Sequence, residues 1–120
     1  MNVAFGNVDA HAKNYALLYR TLAVPELSPL YDVVPVVDVE PRAHHLSMRI
    51  GSAILIEDVG RVQILEVARC WGMEEGRAAS VLDDTIMRLR EGPARMRERF
   101  PAVALRHEPG AVRRIDGLAR

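Results

Sequence analysis

Four prolines, Pro25, Pro29, Pro35 and Pro41, stand close together in the first half of the chain. Each fixes its own φ and lacks a backbone N–H, so no long helix can run between them. No further proline occurs until Pro93. The chain therefore divides into two styles: residues 1–58 read as loop and short strand, residues 59–119 as helix. That pattern predicts a mainly α architecture with a small β portion (α+β) near the N-terminus. At 120 residues the chain fits one domain, residues 1–120, with room for a real core.

Residues 2–5 are apolar or small and run into Gly6-Asn7, which reads as the end of a helix or strand. The polar stretch 7–14 reads as a loop, because its side chains bond locally. Tyr15–Tyr19 is a strand candidate, 20–26 turns the chain, and Leu27–Leu30 returns. Leu46–Ile50 and Ala53–Ile56 suggest a hairpin around Gly51-Ser52. Asp58 suits the N-cap of a helix over about 59–71, with Gly72 at C′. Ala78, Val81, Leu82, Thr85, Ile86 and Leu89 then mark one buried helical face. Gly92-Pro93 predicts a break with continuation to about Arg99, Phe100-Pro101 a stop, and Pro109 the start of a last short helix carrying Val112, Ile115 and Leu118.

Composition excludes several classes of function. Sixteen basic residues balance sixteen acidic ones. The first sixty residues carry four basic and seven acidic groups and the rest twelve and nine, an asymmetry too mild to imply nucleic-acid binding. Cys70 is the only cysteine, which rules out an internal disulfide and suits a reducing compartment. The first residues lack a signal peptide's basic and apolar regions, and no apolar run is long enough for a membrane span. A cytoplasmic location is the expectation. Fifteen of the basic residues are arginine and one is lysine, Lys13, so chemistry that needs a lysine must use Lys13 or import one.

The chemistry-bearing stretch is Gly6-Asn7-Val8-Asp9-Ala10-His11-Ala12-Lys13-Asn14. Asp9 and Asn14 have the D-x-x-x-x-N spacing of a protein-kinase catalytic loop. A carboxylate orients the attacking hydroxyl and accepts its proton, and an amide oxygen aimed at the same cleft can ligate Mg²⁺. A second carboxylate must arrive from a later segment, and Asp32 in Leu30-Tyr31-Asp32-Val33-Val34-Pro35 does so after the 15–30 hairpin. Together GNVDAHAKNYALLY and LSPLYDVVP resemble the HipA-like bacterial serine/threonine kinases, whose signature runs G-N-x-D-x-H-x-K-N and then Y-D-[hydrophobic]-x-P. The similarity extends from residue 2 to about 99 and is specific only in those motifs.

The resemblance implies the C-lobe of a kinase. Asp9 would be the catalytic base, His11 and Lys13 would shape the loop or touch phosphate, and Asn14 and Asp32 would hold magnesium. It also implies ATP and Mg²⁺ as cofactors, a protein substrate, and a toxin role checked by a DNA-binding antitoxin. The sequence departs from the pattern in two ways. It contains no G-x-G to cover phosphates, and its one lysine sits in the catalytic loop rather than on an N-lobe strand. The expectation is a truncated reading frame, a decayed copy or half of a split kinase, inactive alone. Apolar side chains near Val3, Phe5 and the 15–30 hairpin should then be uncovered where an N-lobe would sit. A non-catalytic module that docks an antitoxin or a separate N-lobe is the rival reading, and a purely structural helical domain is the third.

Other features have plainer readings. His11 with Asp9, Asp32 and His44-His45 lacks the ligand spacing of a transition-metal site, and His44-His45 reads as a solvated loop. Cys70-Trp71 reads as buried core. Arg88, Arg90, Arg95, Arg97 and Arg99 lie near Glu91 and Glu98 with few aromatics, which favours a solvated helix face over nucleic-acid contact.

Overall fold

The computed structural model describes residues 1–20 and 24–120. It is mostly helical, with two small two-stranded antiparallel sheets in its first half, the class expected. The opening helix α1 (Asn2–Phe5) ends at Gly6, whose φ of +80° turns the chain into the loop. A Cβ at Gly6 would come within 2.5 Å of Val37 Cγ2, so glycine is needed there for both its backbone and its size. The loop closes with a 3-10 turn at Ala12–Asn14.

The first hairpin is shorter than expected. Strand β1 (Leu17–Leu18) pairs with β2 (Glu26–Leu27), Leu17 opposite Leu27. Ser28 N–H adds a bond to Ala16 O at 2.8 Å, and residues 21–23 of the expected turn lie outside the described residues. A one-turn helix α2 (Val36–Val39) fits between Pro35 and Pro41, since prolines at both ends exclude only a longer one. Strands β3 (His45–Ile50) and β4 (Ala53–Leu55) form the second hairpin near its expected bounds. Its tip is tied down by Ser52 N–H donating to Glu66 Oε2 at 2.7 Å.

Asp58 is not the N-cap of α3 (Arg61–Cys70). It lies in a 3-10 turn, Ile56–Asp58, and Gly60 takes the cap with its N–H on Gln63 Oε1 at 3.0 Å. The chain must first bury Val59, which is 4% exposed in extended conformation, before it can begin to coil. Gly72 stops the helix as expected, its N–H reaching Arg69 O at 2.9 Å. Cys70 and Trp71 are not core. Ala68 is the last buried residue of α3, the amides of Gly72 and Met73 close back on Arg69 and Ala68, and Cys70 and Trp71 are left exposed outside that turn.

Helix α4 (Glu75–Arg99) passes through Gly92-Pro93 without a break. Glu74 caps it by accepting from the amides of Gly76 and Arg77 at 2.8 and 2.7 Å. Pro93 forgoes one backbone bond, but its ring is buried on the helix that packs most extensively against α5 (Pro101–Leu118). The apolar face of α4 is narrower than its pattern suggests. Ala78, Leu82 and Ile86 are buried, whereas Val81 and Thr85 face outward, Thr85 Oγ1 donating to Val81 O at 2.7 Å. The last helix opens at Pro101, in its favoured first-turn position, and contains Pro109 rather than starting there.

The core gathers Val3, Ala4, Val8, Ala53, Ile56, Val59, Leu82, Ile86, Ile115 and Leu118. Val3 is thus buried, contrary to the uncovered position expected for it. Its partners come from both ends of the chain, so α1 and α5 close on one another. Among the described residues no helix is long and apolar enough to cross a membrane.

Candidate functional site

Asn7 is 3% exposed and bonds in three directions. Its Oδ1 accepts the Asp9 amide at 3.2 Å, while Nδ2 donates to Asp32 O at 3.0 Å and to Asn2 Oδ1 at 3.2 Å. Asn14, also buried, works from the far end of the loop. Its Oδ1 accepts the His11 amide at 2.9 Å, which fixes the orientation of the amide group, and its Nδ2 donates to Asp32 Oδ2 at 2.8 Å. Two asparagines from one loop therefore grip Asp32, one by its carbonyl and one by its carboxylate. Asp32 needs that grip: its φ of +57° places it in the left-handed region, uncommon for a residue with a side chain though most accessible to Asp and Asn. Tyr31, its neighbour, donates from its hydroxyl to Lys13 O at 2.7 Å.

Asp9 is exposed, and Ser47 Oγ donates to its Oδ1 at 3.0 Å. Strand β3 docks on the same loop, with Ser47 N–H on Val8 O at 2.8 Å. The structure thus brings Asn14 and Asp32 into direct contact and ties the Asp9 backbone to Asp32 through Asn7. No hydrogen bond joins the Asp9 side chain to Asn14 or Asp32. The His11 ring bonds none of the three, and its Nδ1 is shut from solvent with no partner among the described residues. Lys13 is exposed. Sequence reasoning overlooked Asn7 and Ser47 as site residues. Asn7 lies inside the quoted motif, but its partners include a residue 25 positions away, which a reading of local loop bonds does not reach.

The profile of the HipA-like C-terminal domain matches residues 1–92. The chain belongs to that family. The match takes in the loop, Asp32, both hairpins and α4 to Gly92, and leaves the end of α4 and all of α5 outside. This HipA-like domain is also similar to "Putative kinase Y4mE" of Sinorhizobium fredii (strain NBRC 101917 / NGR234), with 34% identity over 58 residues, or 48% of this chain. The aligned part spans only 14% of that relative's length. No solved structure matches.

Kinase-family chemistry uses magnesium, and the donors of this HipA-like domain suit it. Asp32 Oδ1 and Asn14 Oδ1 are hard oxygens, and the amide oxygen keeps a lone pair beyond its one bond. The Asn14 NH₂ faces Asp32 Oδ2, which leaves Asp32 Oδ1 and the second lone pair of Asn14 Oδ1 as the donors an ion could take. Among the described residues no three His, Cys, Asp or Glu side chains are grouped to hold a metal. His44 stands exposed with Nδ1 3.2 Å from Glu57, well apart in role from the loop. Several arginines of the basic stretch are paired: Arg90 with Asp116, Arg95 with Glu91 and Arg97 with Glu108.

A second polar cluster lies behind the loop. Asp38 of α2 accepts from Arg114 and is bonded to His107, both on α5. Burial pushes the Asp38 carboxyl upward, but the hydrogen bonds and charges of Arg114 and His107 outweigh it and hold its pKa below the ordinary 3.8.

Proposed function

We propose that this domain carries the phosphotransfer loop of a HipA-like serine/threonine protein kinase. Asp9 serves as the base, Asn14 and Asp32 as the magnesium ligands, and His11 and Lys13 as residues that shape the loop or meet phosphate. The observation that supports this most is the double grip on Asp32, which holds a carboxylate on a left-handed backbone beside the Asp9 loop. In transfer, the substrate hydroxyl oxygen bonds the γ-phosphorus of ATP as the bond to ADP breaks, and the hydroxyl proton passes to Asp9. Asp9 Oδ1 is taken by Ser47, which orients the carboxylate and leaves Oδ2 for that proton. Magnesium, when bound, neutralises phosphate charge.

The 120 residues contain no G-x-G loop and no lysine outside the catalytic loop, so a separate segment must clamp the nucleotide. The expected partners are that N-lobe, a protein substrate and a DNA-binding antitoxin. Exposed Tyr15, Leu17, Tyr19, Leu27 and Tyr31 favour a second reading, in which the domain docks an antitoxin or an N-lobe without catalysing transfer. Radiolabel transfer from ATP separates the two. The chain alone should transfer nothing. Mixed with the N-terminal segment of a HipA-like kinase it should label a protein substrate, and Asp9→Asn should abolish the label. Transfer that survives Asp9→Asn would overturn the assignment of Asp9, and no transfer in the mixture would favour the docking reading.

A further inference from the structure

Arg114 lies on α5, outside the residues that match the family, yet its guanidinium reaches both segments that lead into the site. Nε donates to Ala4 O at 3.2 Å and Nη2 to Phe5 O at 3.3 Å, the last carbonyls of α1 before Gly6 opens the loop. Nη1 donates to Asp38 Oδ1 at 3.0 Å and Nη2 to Asp38 Oδ2 at 3.4 Å, on α2, which follows Asp32 and Pro35. His107 Nδ1 approaches the same carboxylate at 3.0 Å. The pocket is cut to the guanidinium: a Cβ on Gly6 would lie 2.9 Å from Arg114 Cζ, and one on Gly110 would lie 3.0 Å from both Arg114 Nη1 and Asp38 Oδ1. Val37 N–H also donates to Gly6 O at 3.2 Å, so α1 and α2 meet directly under the arginine.

We infer that Arg114 is a positioning residue for the phosphotransfer site, fixing the Asp9 loop and the Asp32 segment relative to one another from outside the residues that match the family. It touches neither reacting group. Its side chain is 17% exposed and that of Asp38 14%, so the contact is shielded from salt and water. A planar fork with five donors suits two carbonyls and a carboxylate at once, and a lysine ammonium does not. Positioning errors of about 1 Å can cost about 100-fold in rate, which is the scale on which such a latch matters. The inference rests on the kinase reading for its purpose but not for its geometry.

Amide hydrogen exchange on the full 120-residue chain tests it. The reporters are the Asp9 amide, bonded to Asn7, and the His11 amide, bonded to Asn14. Arg114→Ala should speed exchange at both by about tenfold or more, through local opening. Wild-type protein brought by urea to the same global stability should not reproduce this. Arg114→Lys should not restore the slow rates. Arg90→Ala, which cuts the Arg90–Asp116 bond between α4 and α5, should leave the reporters unchanged. If Arg114→Ala fails to fold, Asp38→Asn, of equal shape, carries the test and should show the same local effect in smaller degree. Reporter rates that merely follow the urea-matched wild type, or full rescue by lysine, would overturn the inference. Because exchange needs neither nucleotide nor metal, a positive exchange result beside no label transfer in the mixture with the N-terminal segment would count against the kinase reading alone.

Discussion

Asn7 ties the backbones of Asp9 and Asp32 together, although neither a proton nor a metal need pass through it. Asn7→Ala would strip the donor from Asp32 O and the acceptor from the Asp9 amide, at two part-buried bonds. Losing two such bonds costs about 1–2 kcal/mol, and chemical denaturation should show a loss of that size. Ser47→Ala, at an exposed bond to Asp9, should cost less than about 1 kcal/mol while freeing the Asp9 carboxylate to rotate. Asp38 adds a pH dependence. Its folded pKa lies below the ordinary value, so its contribution to stability is complete above pH 3.8 and is lost as the pH falls through the depressed folded value. The wild type should therefore exceed Asp38→Asn in melting temperature at neutral pH, by a margin that shrinks in acid below that point. At this scale the meeting of Asn14 with Asp32 was legible, because the spacing called for an amide and a later carboxylate aimed at one cleft, and the two side chains touch. The chain was not legible where a side chain earns its place through a distant backbone group, as for Asn7, Ser47 and Arg114.

Elements were legible where local rules act alone. Gly72 stopped α3 and the Gly51-Ser52 hairpin formed near its expected bounds, because turn geometry is set by adjacent residues. The reading failed where packing overrules propensity. Burial of Val59 delayed α3 past Asp58, and burial of Pro93 against α5 carried α4 through a pair of residues that would end an isolated helix. Two glycines make the contrast testable. Gly92 lies mid-helix with open space where a Cβ would go, so Gly92→Ala should raise stability by about 0.5–1 kcal/mol. Gly6→Ala should do the reverse, since the new methyl would collide with Val37 and the backbone is left-handed. Thermal unfolding of the two variants should shift in opposite directions.

Across the whole molecule the core lies between α1, the second hairpin, α4 and α5, and the first hairpin stays outside it. Tyr15, Leu17, Tyr19, Leu27, Tyr31 and Val34 leave their apolar side chains in solvent. Surfaces of that kind mark contacts or aggregation liabilities. The isolated chain should bind a hydrophobic dye and self-associate as concentration rises in sedimentation, and Leu17→Glu with Leu27→Glu should reduce both. The mainly α class with a small β portion followed from the placement of prolines, but the closing of α1 against α5 did not, because no local pattern announces a contact between the chain's two ends.

That closing has a consequence for synthesis. Arg114 bonds Ala4 O across 110 positions and Phe5 O across 109. A ribosome adding ~5–20 residues per second makes the Asp9 loop roughly 5–20 s before it makes the arginine that steadies it. During that interval the nascent loop has its asparagines and its aspartates but not its latch, so the site is set late, and only in chains elongated through α5.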